Sequence, residues 1–192
     1  IDNKNKIIFS FAGSVHDNHC WEIFLEGLFE IKNTSNFDKI GVSYYGGYFN
    51  KIITKASKYD LPKNLIVNHG YLERENLMSE LSQADILLVF GFKGSYGDSV
   101  TTGKIFDYIE LEKPVLVFGP KTSELAKLVE KTGIGLVISD LEESKRVLKN
   151  IILNKYVFEK SFSSKVDYNE VSKYSAIKAA DFYTKIIRKI IE

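Results

Sequence analysis

A chain of 192 residues that is 44% hydrophobic and 27% charged has the composition of an ordinary folded domain, which excludes a disordered or fibrous polypeptide. Its 26 Lys and Arg offset 25 Asp and Glu to a net charge of +1, and its lysine-rich pieces alternate with apolar residues, so no nucleic-acid footprint is expected. Cys20 is the only cysteine, which rules out an intrachain disulfide or a cysteine-ligated metal and fits a reducing cytoplasm, and no apolar run reaches the ~18 residues that span a bilayer.

The chain opens with Ile1 rather than methionine and no signal peptide is read ahead of its first strand, so a fragment of a longer protein is expected. Lys6 to Ala12 reads as a strand, followed by a loop from Gly13 to Asn18 and a helix to Lys32 with Trp21, Phe24, Leu25, Leu28 and Phe29 on one face. Asp38 to Tyr45 is a second strand, Tyr48 to Lys58 a helix, Leu65 to Asn68 a third strand, and Arg74 to Gln83 a helix. Asp85 to Phe90, apolar from Ile86 onward, and Pro114 to Phe118 have the pattern of strands covered on both faces, and they bracket a loop from Gly91 to Ser99 and a short helix. A helix Ser123 to Thr132, a strand Gly135 to Ser139 and a helix Glu142 to Asn154 complete the alternation. Lys155 to Glu192 is set apart as a helical extension ending in a stripe of Ile177, Phe182, Ile186, Ile187 and Ile190, which packs either on residues 1–154 or on a partner domain.

Strands alternating with helices predict an α/β, doubly wound, Rossmann-like parallel sheet of six strands ordered 3-2-1-4-5-6. In that order the first and fourth strands are neighbours at the switch point, so the loops Gly13 to Asn18 and Gly91 to Ser99 face each other where ligands bind. Ser99, Thr101 and Thr102 mark the start of the short helix, and Lys104 places a cation in its first turn, unfavourable unless an anion sits there. Free N–H groups from Val100 to Gly103, two hydroxyls and an ammonium describe an anion cradle, although the same residues also fit a solvated lysine behind plain caps.

The first strand leads into FAGSVHDNHCW rather than a dinucleotide fingerprint, and the second ends in VSYYGGY without the acid that would hold a ribose. A Walker loop and a paired receiver-type aspartate are also absent. His16, His19 and His69 lack the carboxylate spacing of a metal site, so no metal is expected.

The order of features resembles the C-terminal, donor-binding domain of GT-B glycosyltransferases, in particular the family 4-like group that builds bacterial surface polysaccharides. The resemblance is carried by FAGSV at Phe11 to Val15, HGYLERENLMSELSQADILL at His69 to Leu88, TGKIFDYIELEKPVLVFGP at Thr102 to Pro120 and SELAKLVEKTGIGLVI at Ser123 to Ile138. It implies a nucleotide-diphosphate sugar as donor, no further cofactor, and an N-terminal acceptor domain that lies outside this chain and supplies any catalytic base or peripheral membrane contact. By the same resemblance Asp107 would accept the ribose hydroxyls, Tyr71 would stack on the base, and the backbone around Leu72 would meet the base edge. Gly13, Ser14 and His19 would line the diphosphate, together with Val100, Thr101, Thr102, Gly103 and Lys104. The sequence departs from the family where its first glutamate would fall at Ser99, with Asp98 one residue earlier as the substitute, and where its basic pair corresponds to Ser14 and His19. Lys104, helped by Lys93, must then supply the positive charge. Two other functions fit the same fold: a sugar-nucleotide epimerase and a non-catalytic nucleotide-binding module.

Overall fold

Period-two and wholly apolar runs become strands, and period-3.6 runs become helices, in a single alternating series. The computed structural model describes residues 6–174 together with positions 184 and 188. In chain order the elements are β1 (Ile7–Ala12), α1 (Trp21–Ile31), β2 (Ile40–Tyr45), α2 (Phe49–Ala56), β3 (Ile66–Asn68), α3 (Arg74–Ser82), β4 (Ile86–Phe90), α4 (Ser95–Asp98) and α5 (Lys104–Glu110). They continue as β5 (Val115–Phe118), α6 (Glu124–Thr132), β6 (Gly135–Ile138), α7 (Leu141–Leu153), α8 (Lys155–Ser163) and α9 (Tyr168–Ser172).

The six strands form one sheet in the order β3-β2-β1-β4-β5-β6, all parallel, as the sequence predicts. Pleating divides the core in two. Phe9, Phe11, Leu88, Phe90 and Phe118 point to one face, where α1, α2 and α7 cover them with Phe24, Leu28, Ile52, Leu148 and Ile151. Ala12, Leu87, Val89, Val115 and Val117 point to the other, under Leu81 of α3, Ile105 and Tyr108 of α5, and Leu125 and Val129 of α6. Each fully buried Leu, Ile or Phe contributes about 1.5–3 kcal/mol of transfer free energy, so the two layers hold the central strands rigidly.

One helix departs from the loop reading, and another lies within the extension expected to be helical. Ser95–Asp98 forms the single turn α4 inside the segment read as a loop. After α7, the chain turns at Asn154 into α8, whose Phe158 packs on the first core layer and Phe162 on the second. Asp85, just before β4, ties this region down: one carboxylate oxygen accepts from the Ile8 amide at 2.8 Å and the other from Lys155 Nζ at 2.6 Å. The terminal stripe from Ile177 to Ile190 lies outside the described residues. Among the described residues no helix is long and apolar enough to cross a membrane.

One buried contact joins the last residue of β1 to α5. The Tyr108 hydroxyl accepts a hydrogen bond from the Ala12 amide at 3.2 Å, and burial pushes its pKa well above the usual tyrosine value. Tyr108→Phe leaves that amide without a partner. It should cost about 1–3 kcal/mol, which at this chain length lowers the thermal midpoint by about 2–4 °C for each kcal/mol. An unchanged melting curve would show that the bond does not hold α5 to β1.

Candidate functional site

The switch point between β1 and β4 is built from the two loops the sequence singled out. They are laced together by the Cys20 amide donating to Gly91 O at 2.8 Å, the Lys93 amide donating to Asn18 O at 2.7 Å, and a bridge between His19 and Phe92. Gly13 begins the first loop with a φ of +116°, a conformation L side chains rarely adopt, and its amide donates to Tyr45 O at 2.7 Å. A methyl group there would lie 2.2 Å from Lys104 Cε and 2.8 Å from its Nζ, so Gly13 and the lysine are in contact across the crevice. On its other side Gly13 is backed by Gly46, where a methyl group would sit 2.4 Å from the Gly13 carbonyl oxygen.

Lys104 is the electrostatic centre of this arrangement. It is half-buried, with its ammonium 5.7 Å from the centre of the Phe11 ring, and among the described residues no carboxylate pairs with it. Burial holds its pKa below the usual lysine value. A partly desolvated ammonium facing a glycine-lined gap is stabilised by an incoming anion.

The helix it starts differs in detail from the expected cradle. The first helical residue is Lys104 itself, with Gly103 as a helical-dihedral cap and no side-chain capping bond, so Thr101 and Thr102 do not cap it. Instead the Ile105 and Phe106 amides turn back to Thr102 O at 3.2 Å and Gly103 O at 3.1 Å, tightening the first turn. Ser99 is exposed, Val100 is half-buried beside it, and Asp98 accepts from Thr122 Oγ1 at 2.7 Å. Lys93 is ion-paired with Glu22, so its charge is already neutralised and Lys104 carries the site without it.

His19 supplies a hydrogen bond rather than a charge. Its Nδ1 accepts from the His16 amide at 3.1 Å, which places the proton on Nε2. The ring packs 4.4 Å from Phe92. Burial first, then the charges of His16 and Lys104, push its pKa down to about 4, so it is neutral at physiological pH. Ser14 is half-buried, its hydroxyl 3.9 Å from where a Gly47 methyl group would stand.

The remaining candidate residues lie after β3 and on α5. Gly70, at φ +73°, turns the chain so that Tyr71 is 80% exposed, an aromatic face free to stack, while Leu72 packs on the second core layer. Asp107 is part of α5 and forms an ion pair with Arg74, which also lies 3.5 Å from Glu110. Arg74 and Gly46, which the sequence does not single out, touch candidate residues Asp107 and Gly13. Arg74 carries no local signal for a partner on α5, whereas the Gly46-Gly47 pair after β2 stands in the sequence where a ribose-binding acid is lacking.

No protein-family model matches the sequence. Among curated proteins, glucosyltransferase 3 of Streptococcus gordonii is 30% identical over 94 residues, covering 45% of this chain and 27% of that protein. Among solved structures, Anabaena HepE in complex with UDP-glucose superposes with a TM-score of 0.72 at 11% identity, covering 97% of this chain and 50% of that one. WaaG, a glycosyltransferase involved in lipopolysaccharide biosynthesis, gives 0.68 at 15% identity over 90% of this chain and 44% of that one. S. aureus MnaA, solved with UDP, gives 0.61 at 15% identity over 95% and 47%. The chain therefore has the Rossmann-like fold of a GT-B domain and spans about half, or less, of the length of the proteins it matches.

Proposed function

We propose that this chain is the donor-binding half of a two-domain glycosyltransferase and that the crevice between Gly13 and Lys104 receives a nucleotide-diphosphate sugar. The observation that carries this is the half-buried Lys104 ammonium, unpaired among the described residues and aimed at a backbone turn that only glycine can make. Two of the structures that share the fold were solved with UDP-glucose or UDP, which supports the ligand class. In this proposal Lys104 and the His19 Nε2–H hold the diphosphate, and Asp107, oriented by Arg74, accepts the ribose hydroxyls. Tyr71 stacks on the base, the Leu72 backbone meets its edge, and Asp98 and Ser99 face the sugar.

Transfer breaks the bond between the sugar's anomeric carbon and the terminal phosphate oxygen while the acceptor oxygen bonds to that carbon. The electron pair stays on the leaving diphosphate. A fixed cation beside that oxygen stabilises the charge as it develops. The acceptor site and the base that takes its proton belong to an N-terminal domain outside this sequence, so residues 1–154 bind donor, residues 155–192 extend them, and the chain alone turns over little. A cytoplasmic enzyme of bacterial surface polysaccharide synthesis is the setting we assign.

Calorimetric titration of the chain with UDP and GDP tests this. One of the two should bind, and Asp107→Ala should weaken that nucleotide about tenfold by removing a charge-assisted bond to the ribose. Indifference to both nucleotides would sink the proposal.

A further inference from the structure

The corner where α7 meets α8 takes no part in donor binding. Leu153, Tyr156 and Val157 are 53%, 70% and 55% exposed there, an apolar cluster left open among the described residues. Helical spacing fixes its neighbours: Lys149 lies one turn before Leu153 on α7, and Lys160 one turn after Tyr156 on α8. Arg146 and Lys165 line a cavity of about 180 Å³ between the two helices and the β6 edge, with Phe158 and Phe162 in its wall. Among the described residues, none of these four cations is in an ion pair, whereas adjacent Lys145 and Lys155 are held by Glu30 and Asp85. Of the nearby acids, Glu159 lies 3.8 Å from Lys155 and Glu143 is paired with Lys121.

We propose that this corner is an interfacial contact for an anionic lipid bilayer. A symmetric contact with a second copy would set four cations against four, and a nucleic acid would leave Leu153 and Val157 exposed. An anionic bilayer satisfies both halves of the surface, its headgroups meeting the cations and its acyl boundary taking the apolar side chains. The fold also orients the contact. Lys155 bonds to Asp85 at the start of β4, so the corner sits at the opposite end of the parallel strands from the Gly13–Lys104 crevice, which stays open to water.

Co-sedimentation of the 192-residue chain with vesicles of phosphatidylglycerol or phosphatidylcholine decides it. Binding should favour phosphatidylglycerol by about tenfold or more and fall with salt. Lys149→Gln combined with Lys160→Gln should remove most of that preference, and Tyr156→Ser with Val157→Ser should weaken binding that survives high salt. All four positions are exposed, and unchanged melting curves would confirm intact folds. Equal affinity for the two lipids, no binding to either, or binding indifferent to these variants overturns the proposal. So does sedimentation in which the same variants dissolve a dimer, or preferential retention on duplex DNA.

Discussion

Lys104→Met should weaken nucleotide-diphosphate binding by roughly one to two orders of magnitude and at the same time raise the thermal midpoint. The two effects have one origin. In the folded chain the ammonium is partly desolvated without a carboxylate partner among the described residues, and burial holds its pKa below the usual lysine value. The folded state therefore resists the charged form. That penalty is present in full below the depressed folded pKa and disappears as the pH rises through the unfolded value, so the wild-type chain gains stability along that interval. Methionine has a similar length, fills the space against Gly13 and Phe11, and carries no charge to desolvate. With a diphosphate bound the balance reverses, because a charge-assisted contact contributes about 1.5–3 kcal/mol, or roughly one to two orders of magnitude in affinity. Calorimetry with UDP and GDP, paired with melting curves at neutral pH and near pH 10, reads both arms. A variant that binds as the wild type does would show that Lys104 is a packing residue. A variant that loses both binding and stability would show that the ammonium supports the fold instead of waiting for a ligand.

How much of this was legible depends on whether the cause was local. The wholly apolar Ile86 to Phe90 and Val115 to Phe118 had to be central strands, and the alternation of elements left the switch point between β1 and β4 as the natural crevice. Gly13 and Lys104 were each visible as anomalies, a glycine at a strand end and a cation at a helix start. Their mutual contact was not, because it depends on how α5 settles against β1. Pairings across long separations were hidden for the same reason: Arg74 with Asp107, and Lys93 with Glu22, which removes the second cation from the site. The sequence predicts a helical extension from Lys155 onward but not which face of α8 turns inward, because Phe158 and Phe162 share a nine-residue segment with the outward Tyr156 and Val157, blurring the apolar stripe. The threonines at 101 and 102 misled because hydroxyls before a helix are usually caps. Here Gly103 already has helical dihedrals, and the first turn closes on backbone carbonyls.

Gly46→Ala should damage both the fold and the site, while Gly47→Ala one residue later should leave both intact. The contrast isolates a contact rather than a general intolerance of the loop after β2. Both glycines lie outside the left-handed region, so neither substitution is penalised by backbone conformation. What differs is the space a methyl group meets. At Gly46 it would stand 2.4 Å from the Gly13 carbonyl oxygen and 2.8 Å from its carbonyl carbon, both backbone atoms of a turn anchored by the bond from the Gly13 amide to Tyr45. Neither atom can rotate away, so the turn itself must move, at a cost of about 1–3 kcal/mol. Moving Gly13 shifts the surface against which Lys104 is packed, and a displacement of even a fraction of an ångström misaligns a charge-assisted bond to a diphosphate, so nucleotide affinity should fall by about tenfold or more. At Gly47 the nearest atom is the Ser14 hydroxyl at 3.9 Å, an ordinary contact. Alanine there should change stability by no more than about 0.5 kcal/mol, with a small gain from the stiffer unfolded chain setting the sign. If the two variants melt and bind nucleotide alike, the packing of Gly46 on Gly13 does not align the crevice, and the position of Lys104 must be set by α5 alone.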